Sequence, residues 1–509
     1  MEDLAAILKD HVVAVVQERS KYCSMAPFDP SDSFPEYDGP TGKEDNPAYR
    51  AIREVFRTLG CDRDHFGTSF WNPLGFLIRP GDTVVLKPNW VCHRNHGERY
   101  GLTDTDSLIT HGSVLRAVLD YVCLALDGKG TIIIGDAPIQ DTDWKSLLRI
   151  AGVAEIIKSI KDRFPGVTIE VHDFRLEHAY VRGGRIVAKS RHEPTPDAFC
   201  EVDLGDKSLL VPLMQGGNYA FGVANYPRTR MVRAHSLERN LYLFPREVVE
   251  ADVLINLPKV KTHMKAGITC ALKNLVGINS MKDYLPHFRF GSPKNGGDEY
   301  PDGNRLWEFK WWLAHKEWER DSGVIKFLLW FAARATGLGL RMLYRYPREY
   351  GSVAGGGWYG NDTLWRTILD INRAFFYYDR EKGKVEPNPI RSVRYLALAD
   401  GIVSGHKESP LSPTPLKTGW VLAGLNPVAM DTVVAALLGF DFHKIPQVKE
   451  AYNIKELPLA LFQPEDIQVV GLPGIITIKD IYTKKAFVPA EPSMGWKGHV
   501  EYVPWGGGI

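Results

Sequence analysis

The stretch ADVLINLPKVKTHMKAGITCALKNLVG, Ala251 to Gly277, decides the fold. Asp252–Ile255 (DVLI) is short, apolar and rich in branched side chains, as a strand buried on both faces must be. A basic loop with Pro258, Lys259, Lys261, His263 and Lys265 follows, and the pattern then predicts a helix near 267–276 that stops at Gly277. The same order recurs on both sides of this stretch. Asp82–Leu86 (DTVVL), Thr131–Ile134 (TIII), Val167–Val171, Arg394–Leu398 and Trp420–Ala423 read as strands. Ser113–Ala125, Trp144–Ile160 and Pro427–Leu438 read as helices. Strands alternating with helices predict an α/β core, a mainly parallel sheet with helices on both faces.

Outward from that core the chain divides into five parts. Residues 1–80 form an N-terminal helical segment, with helices over 1–18 and 47–59. Residues 81–290 and 391–475 are the two parts of the core, and 476–509 are a C-terminal tail. Between the core parts, 291–390 open with the loop GSPKNGGDEYPDGN and continue as helices at 304–320, 323–345 and Asp362–Phe375. Seven of the 13 tryptophans (307, 311, 312, 318, 330, 358, 365) fall here, so this is a Trp-rich helical insertion. Residues 174–245 are strand- and turn-like, and the pattern does not place them.

Composition excludes several classes. Over 509 residues, 62 Lys+Arg balance 61 Asp+Glu, which argues against a nucleic-acid partner. The N-terminus MEDLAAILK has no basic leader, and no run of about 20 apolar residues follows, so a cytoplasmic location is expected. The six cysteines are scattered with no C-x-x-C, which predicts free thiols and no iron–sulfur cluster. G-x-G-x-x-G after a strand, a P-loop and G-x-S-x-G are all absent.

In an open parallel sheet ligands bind beyond the carboxyl ends of the strands. There this sequence places Lys87 and Asn89, then Asp136, then Lys259, Lys261 and His263, then Asp400. So many cations at one edge predict a small anionic substrate. Lys87, Asn89, Lys259, Lys261 and Asp400 are its expected binding residues. Lys273 lies in an otherwise apolar helix, snorkelling outward or held inward for a purpose, and His287 follows 14 residues later. Histidine and lysine can be tuned to move protons near neutrality. His263 is therefore the expected general acid or base, with Asp136 opposite and Lys273 an electrostatic or covalent group. The predicted chemistry is proton transfer of an isomerase or lyase kind.

Residues 251–277, VVLKPNW (Val84–Trp90), GDAP (Gly135–Pro138) and ADGI (Ala399–Ile402) resemble the family called domain of unknown function 362. The K-x-H…G-x-T-x-A-L-K-N-L-x-G pattern carries the resemblance. Many members look as if they carry ferredoxin-like cysteine motifs, which this chain lacks. A more distant similarity links His263, Gly267, Thr269, Lys273 and His287 to nickel-pincer lactate racemases. That similarity implies a Lys273-linked cofactor, His287 as a nickel ligand and His263 as an acid/base group. The racemase pattern has two glycines before the lysine, where Ala271-Leu272 stand here. Its second acid/base histidine is replaced here by Gly135-Asp136.

Two features remain. NDTLWRTILDINR (Asn361–Arg373) begins a helix with Asn361 as cap, and its likeness to longer family members implies a site-facing Arg366. The stretch 322–350 sets Lys326, Arg334, Arg341, Arg345 and Arg348 against Glu349 alone, among Phe327, Leu328, Leu329, Trp330 and Phe331. That composition fits a helix lying on the cytoplasmic face of a membrane, or a packed hairpin or homo-oligomer contact through 304–350.

Overall fold

The structure is a computed structural model. It describes residues 2–182, 185–192, 195, 197–215, 220–226, 228–301, 305–320, 323–344 and 353–503. Arg345, Arg348 and Glu349 lie outside the described residues.

A ten-stranded, mostly parallel sheet forms the centre of an α/β fold. Its strands are β1 (Val12–Gln17), β2 (Thr83–Pro88), β3 (Gly130–Asp136), β4 (Val167–Asp173), β5 (Val253–Leu257), β6 (Lys259–His263), β7 (Gly267–Thr269), β8 (Arg394–His406), β9 (Thr414–Gly424) and β10 (Gln468–Val470). The order is β10-β1-β9-β8-β5-β2-β3-β4, with β6 on β8 and β7 on β6. From β8 to β4 the main path is parallel, while β9 runs antiparallel to both β8 and β1.

Strand periodicity of two divides the core between the faces. Val84 and Leu86, Ile132 and Ile134, Val253 and Ile255 join one cluster, beneath α2 (Pro47–Leu59), α3 (Gly112–Leu126) and, beyond a short helix at Trp144–Ile150, α4 (Val153–Arg163). Val85, Ile133 and Leu254 join the other, with α1 (Glu2–Lys9) and α8 (Leu364–Phe376). The same cluster takes in α9 (Pro427–Leu437), capped by Asn426, whose side chain accepts from Val428 and Ala429 N–H. Between these helices in sequence come α5 (Ala271–Asn274), α6 (Arg305–Trp318) and α7 (Val324–Tyr344).

The structure corrects several sequence expectations. The helix expected over 1–18 ends at Lys9, and VVAVVQ becomes β1, buried inside the sheet. The N-terminal segment is therefore part of the core; β-branched residues prefer the pleat once a partner strand is offered. The long helix at 144–160 breaks at Gly152, whose φ is +65°. The insertion proper is the α6–α7 hairpin, because α8 packs Leu364, Ile368, Leu369 and Phe375 into the core. Residues 177–191 and 199–245 supply two further small antiparallel pairs. No helix among the described residues is long and apolar enough to cross a membrane.

Candidate functional site

The basic loop after β5 is itself a hairpin. Lys261 faces Thr269, Thr262 faces Ile268 and His263 faces Gly267 across β6 and β7. Gly267, at φ +80°, makes the reversal possible. The helix expected at 267–276 shrinks to the single turn α5, continued by a 3-10 turn over Leu275–Ile278. So Lys273 sits at a strand-end turn and not along a helix face.

Beneath it lies an amide network. Asn274 accepts at Oδ1 from Asn89 Nδ2 at 2.7 Å and from Lys87 Nζ at 3.2 Å. It donates to Asn256 Oδ1 at 2.7 Å. Lys87 Nζ lies 2.7 Å from Asp136 Oδ1, and Trp90 N–H donates to Oδ2 at 2.7 Å. Both partners of this ion pair are buried. A Cβ on Gly277 would overlap both of them, so only glycine lets this turn close over the pair. Asp136, expected as a second base, is instead held by Lys87 Nζ and the Trp90 N–H. Lys261 Nζ donates to Asn89 Oδ1 at 2.8 Å and Leu108 O at 2.6 Å.

Asp400 and Lys259 were expected at strand ends. Both lie inside the sheet, because β8 runs on to His406 and Lys259 pairs with Asp400 across β6 and β8. Their ion pair, 3.0 Å, is fully buried, with Tyr22 OH 2.6 Å from Lys259 Nζ and donating to Asp400 Oδ1 at 2.5 Å. These groups satisfy one another and tie residue 22 to the sheet. Arg366 is likewise engaged: Nε donates to Asp362 O, Nη1 to Leu209 O at 3.0 Å, and Nη2 to Asp362 Oδ1 at 3.1 Å. Its guanidinium lies over Trp365, so it fastens the start of α8 and is not a substrate-binding group.

Above the network is a half-buried group of basic side chains: Lys265, Lys273, Lys282 and the neutral His287, with His263 buried beside them. Lys265 and Lys273 have neither a carboxylate within 4.0 Å nor a hydrogen-bond acceptor among the described residues; Lys265 packs over Phe288. Lys282 donates only to Ala137 O, at 3.1 Å. Burial, then Lys282, Lys87 and Lys265, push the Lys273 ammonium down to about 7. Burial pushes Lys265 and Lys282 down to about 8. The backbone of Gly355 covers Lys265 from the far side.

The two histidines differ in tautomer. His263 Nδ1 accepts from Lys265 N–H at 3.0 Å and Ala266 N–H at 3.1 Å, so its proton resides on Nε2. Burial and the Lys273, Lys265 and Lys261 charges hold its pKa well below the usual value. It is a neutral donor. His287 Nδ1 donates to Leu285 O at 2.7 Å, leaving a bare lone pair on Nε2. Its pKa is also held well below the usual value, by burial first and Lys265 second.

Sequence reasoning overlooked Lys282, because NSMKDY carries no periodicity that marks it, and Tyr22, which lies in a loop. A cavity of about 1210 Å³ lies elsewhere, between residues 140–145, the end of β4 and His178–Tyr180, and no candidate residue lines it.

The model of the family described as domain of unknown function (DUF362) matches residues 220–436. That span holds His263, Lys273 and His287 but not Lys87 or Asp136. No curated protein matches. A crystal structure of a protein from Thermotoga maritima is 12% identical, with 72% of this chain and 53% of that chain covered, at a TM-score of 0.30. The chain thus spans about half the length of that protein.

Proposed function

For a chain whose residues 220–436 are a DUF362 domain, we propose an enzyme that binds a small anionic molecule over Lys265, Lys273 and Lys282 and moves a proton next to its carbonyl or hydroxyl. The observation that carries this reading is the pair of half-buried lysines, Lys265 and Lys273, with no carboxylate within 4.0 Å among the described residues. A buried cation without a counter-charge is costly, and a bound anion removes the cost. Lys273, pushed down to about 7 by burial and its neighbouring lysines, is matched to accept a proton near neutrality. The neutral His263 Nε2–H donates to the oxygen on which charge develops. His287 Nε2 accepts a hydrogen bond from the same substrate. Asp136 positions Lys87 and, through Asn274, the turn that carries Lys273.

Lys273 and the Nε2 of His287 stand where the racemase resemblance puts the cofactor's attachment and its nickel ligand, but Asp136 is tied to Lys87 where a second acid/base group is needed. No step is routed through that cofactor. The test is proton exchange: carbon-bound hydrogens in a panel of hydroxy acids, keto acids and sugar phosphates, followed by NMR in D2O. Wild type exchanges one of them. Lys273→Ala and His263→Ala lose at least 100-fold while staying folded. Exchange that survives both substitutions sinks the reading.

A second reading rests on the hairpin. Val324, Phe327, Leu328, Phe331 and Leu338 recur at helical spacing on α7 and are 46–74% exposed, beside Phe309 and Trp312 of α6. This face suits peripheral contact with an anionic membrane, with a subunit contact as the competing occupant.

A further inference from the structure

The cation count at the site exceeds what a monoanion would balance. Lys87, Lys261, Lys265, Lys273 and Lys282 share one field with Asp136, while Glu299 acts on Lys265, and Asp173 and Arg175 on Lys282, without contacting them. Lys259 is balanced separately by Asp400. Lys87 has Asp136, and Lys261 has only the neutral Asn89 and Leu108 oxygens. Three lysines then remain at the half-buried surface with no carboxylate within 4.0 Å among the described residues, while Gly355 and Phe288 wall off Lys265 from one side.

We propose, resting on the anion-binding reading above, that this site takes a ligand with at least two negative charges, a phosphate ester or a dicarboxylate, clamped between Lys265, Lys273 and Lys282.

The binding carries a proton signature. In the free protein Lys273 titrates at about 7 and Lys265 and Lys282 at about 8. An adjacent dianion returns all three toward ordinary lysine values, so at pH 8 binding draws up to about two protons from solution. Affinity therefore falls as pH rises through 7 to 9.

The experiment is titration calorimetry of the full chain with sodium pyrophosphate, succinate and acetate, at pH 8 and fixed ionic strength, in two buffers of different ionisation enthalpy. Pyrophosphate or succinate is expected to bind at least tenfold tighter than acetate, with net proton uptake. Lys265→Met and Lys273→Gln, tested singly with melting curves as a folding check, each weaken binding and reduce the uptake. Preference for pyrophosphate assigns a phosphate ester, and preference for succinate a dicarboxylate. Acetate binding as tightly as pyrophosphate or succinate overturns the proposal of a multiply charged ligand but leaves the anion site standing. No binding of any of the three overturns both.

Discussion

At the residue scale the site divides into groups that satisfy one another and groups that do not. Lys87–Asp136 and Lys259–Asp400 are buried pairs, and removing one partner strands the other. Asp136→Asn or Gly277→Ala is expected to cost about 3–5 kcal/mol, read from urea midpoints. The double variant Lys259→Met/Asp400→Leu should cost far less than either single change. Equal costs would mean that the pair is not coupled. Lys273→Met behaves oppositely, deleting an uncompensated cation, so its melting temperature should hold or rise while turnover is lost. Residue types were legible here: Lys87, Asn89, Lys261, His263, Lys273 and His287 do converge. Partners were not, because Asp136 and Asp400 meet their lysines across 49 and 141 residues of chain in pairings that only the sheet register fixes.

At the element scale, strands with branched apolar runs were readable, since burial on both faces leaves an uninterrupted signature. Elements whose identity depends on a tertiary partner were not. VVAVVQ is a strand because β9 and β10 flank it, and Gly267–Thr269 is a strand because β6 lies beside it. The α6–α7 hairpin poses the reverse case, an apolar face with no element over it among the described residues. Replacing Phe327, Leu328 and Phe331 with serine is expected to abolish co-sedimentation with vesicles containing anionic phospholipid. Arg334→Glu should weaken it, more at low salt than at high salt. Wild-type chain that ignores such vesicles but elutes as a dimer, with the serine variant monomeric, would assign the face to a second copy. The exposed face itself was only half legible: its composition was plain, but which residues pack inward on Tyr300, Trp307 and Leu340 depended on how the hairpin docks.

For the whole molecule the same unpaired cations set a pH dependence of stability. A lysine whose folded pKa lies below its unfolded value binds fewer protons when folded, so stability rises with pH between the two values. Lys273 opens that window near 7, with Lys265 and Lys282 joining near 8. Each full proton of difference contributes about 1.36 kcal/mol per pH unit. The six cysteines oppose this. Burial raises every thiol, so the unfolded chain loses thiol protons first, which lowers stability above about pH 8. Lys87, Lys259 and Lys261 are depressed as well, so six buried lysines raise stability from pH 7, and the thiols oppose them once their unfolded pKa is passed. The free protein should therefore show a melting temperature that climbs from pH 7 with a slope that falls as the thiols titrate. In the triple variant Lys265→Met/Lys273→Met/Lys282→Met the rise from pH 7 should be shallower, Lys87, Lys259 and Lys261 supplying what remains. In saturating dianion the rising limb should also flatten, because the ligand supplies the missing charge. A free-protein profile that already falls from pH 7 to 8 would mean that these lysines keep ordinary pKa values, and the cluster would lose its claim to be an unfilled anion site.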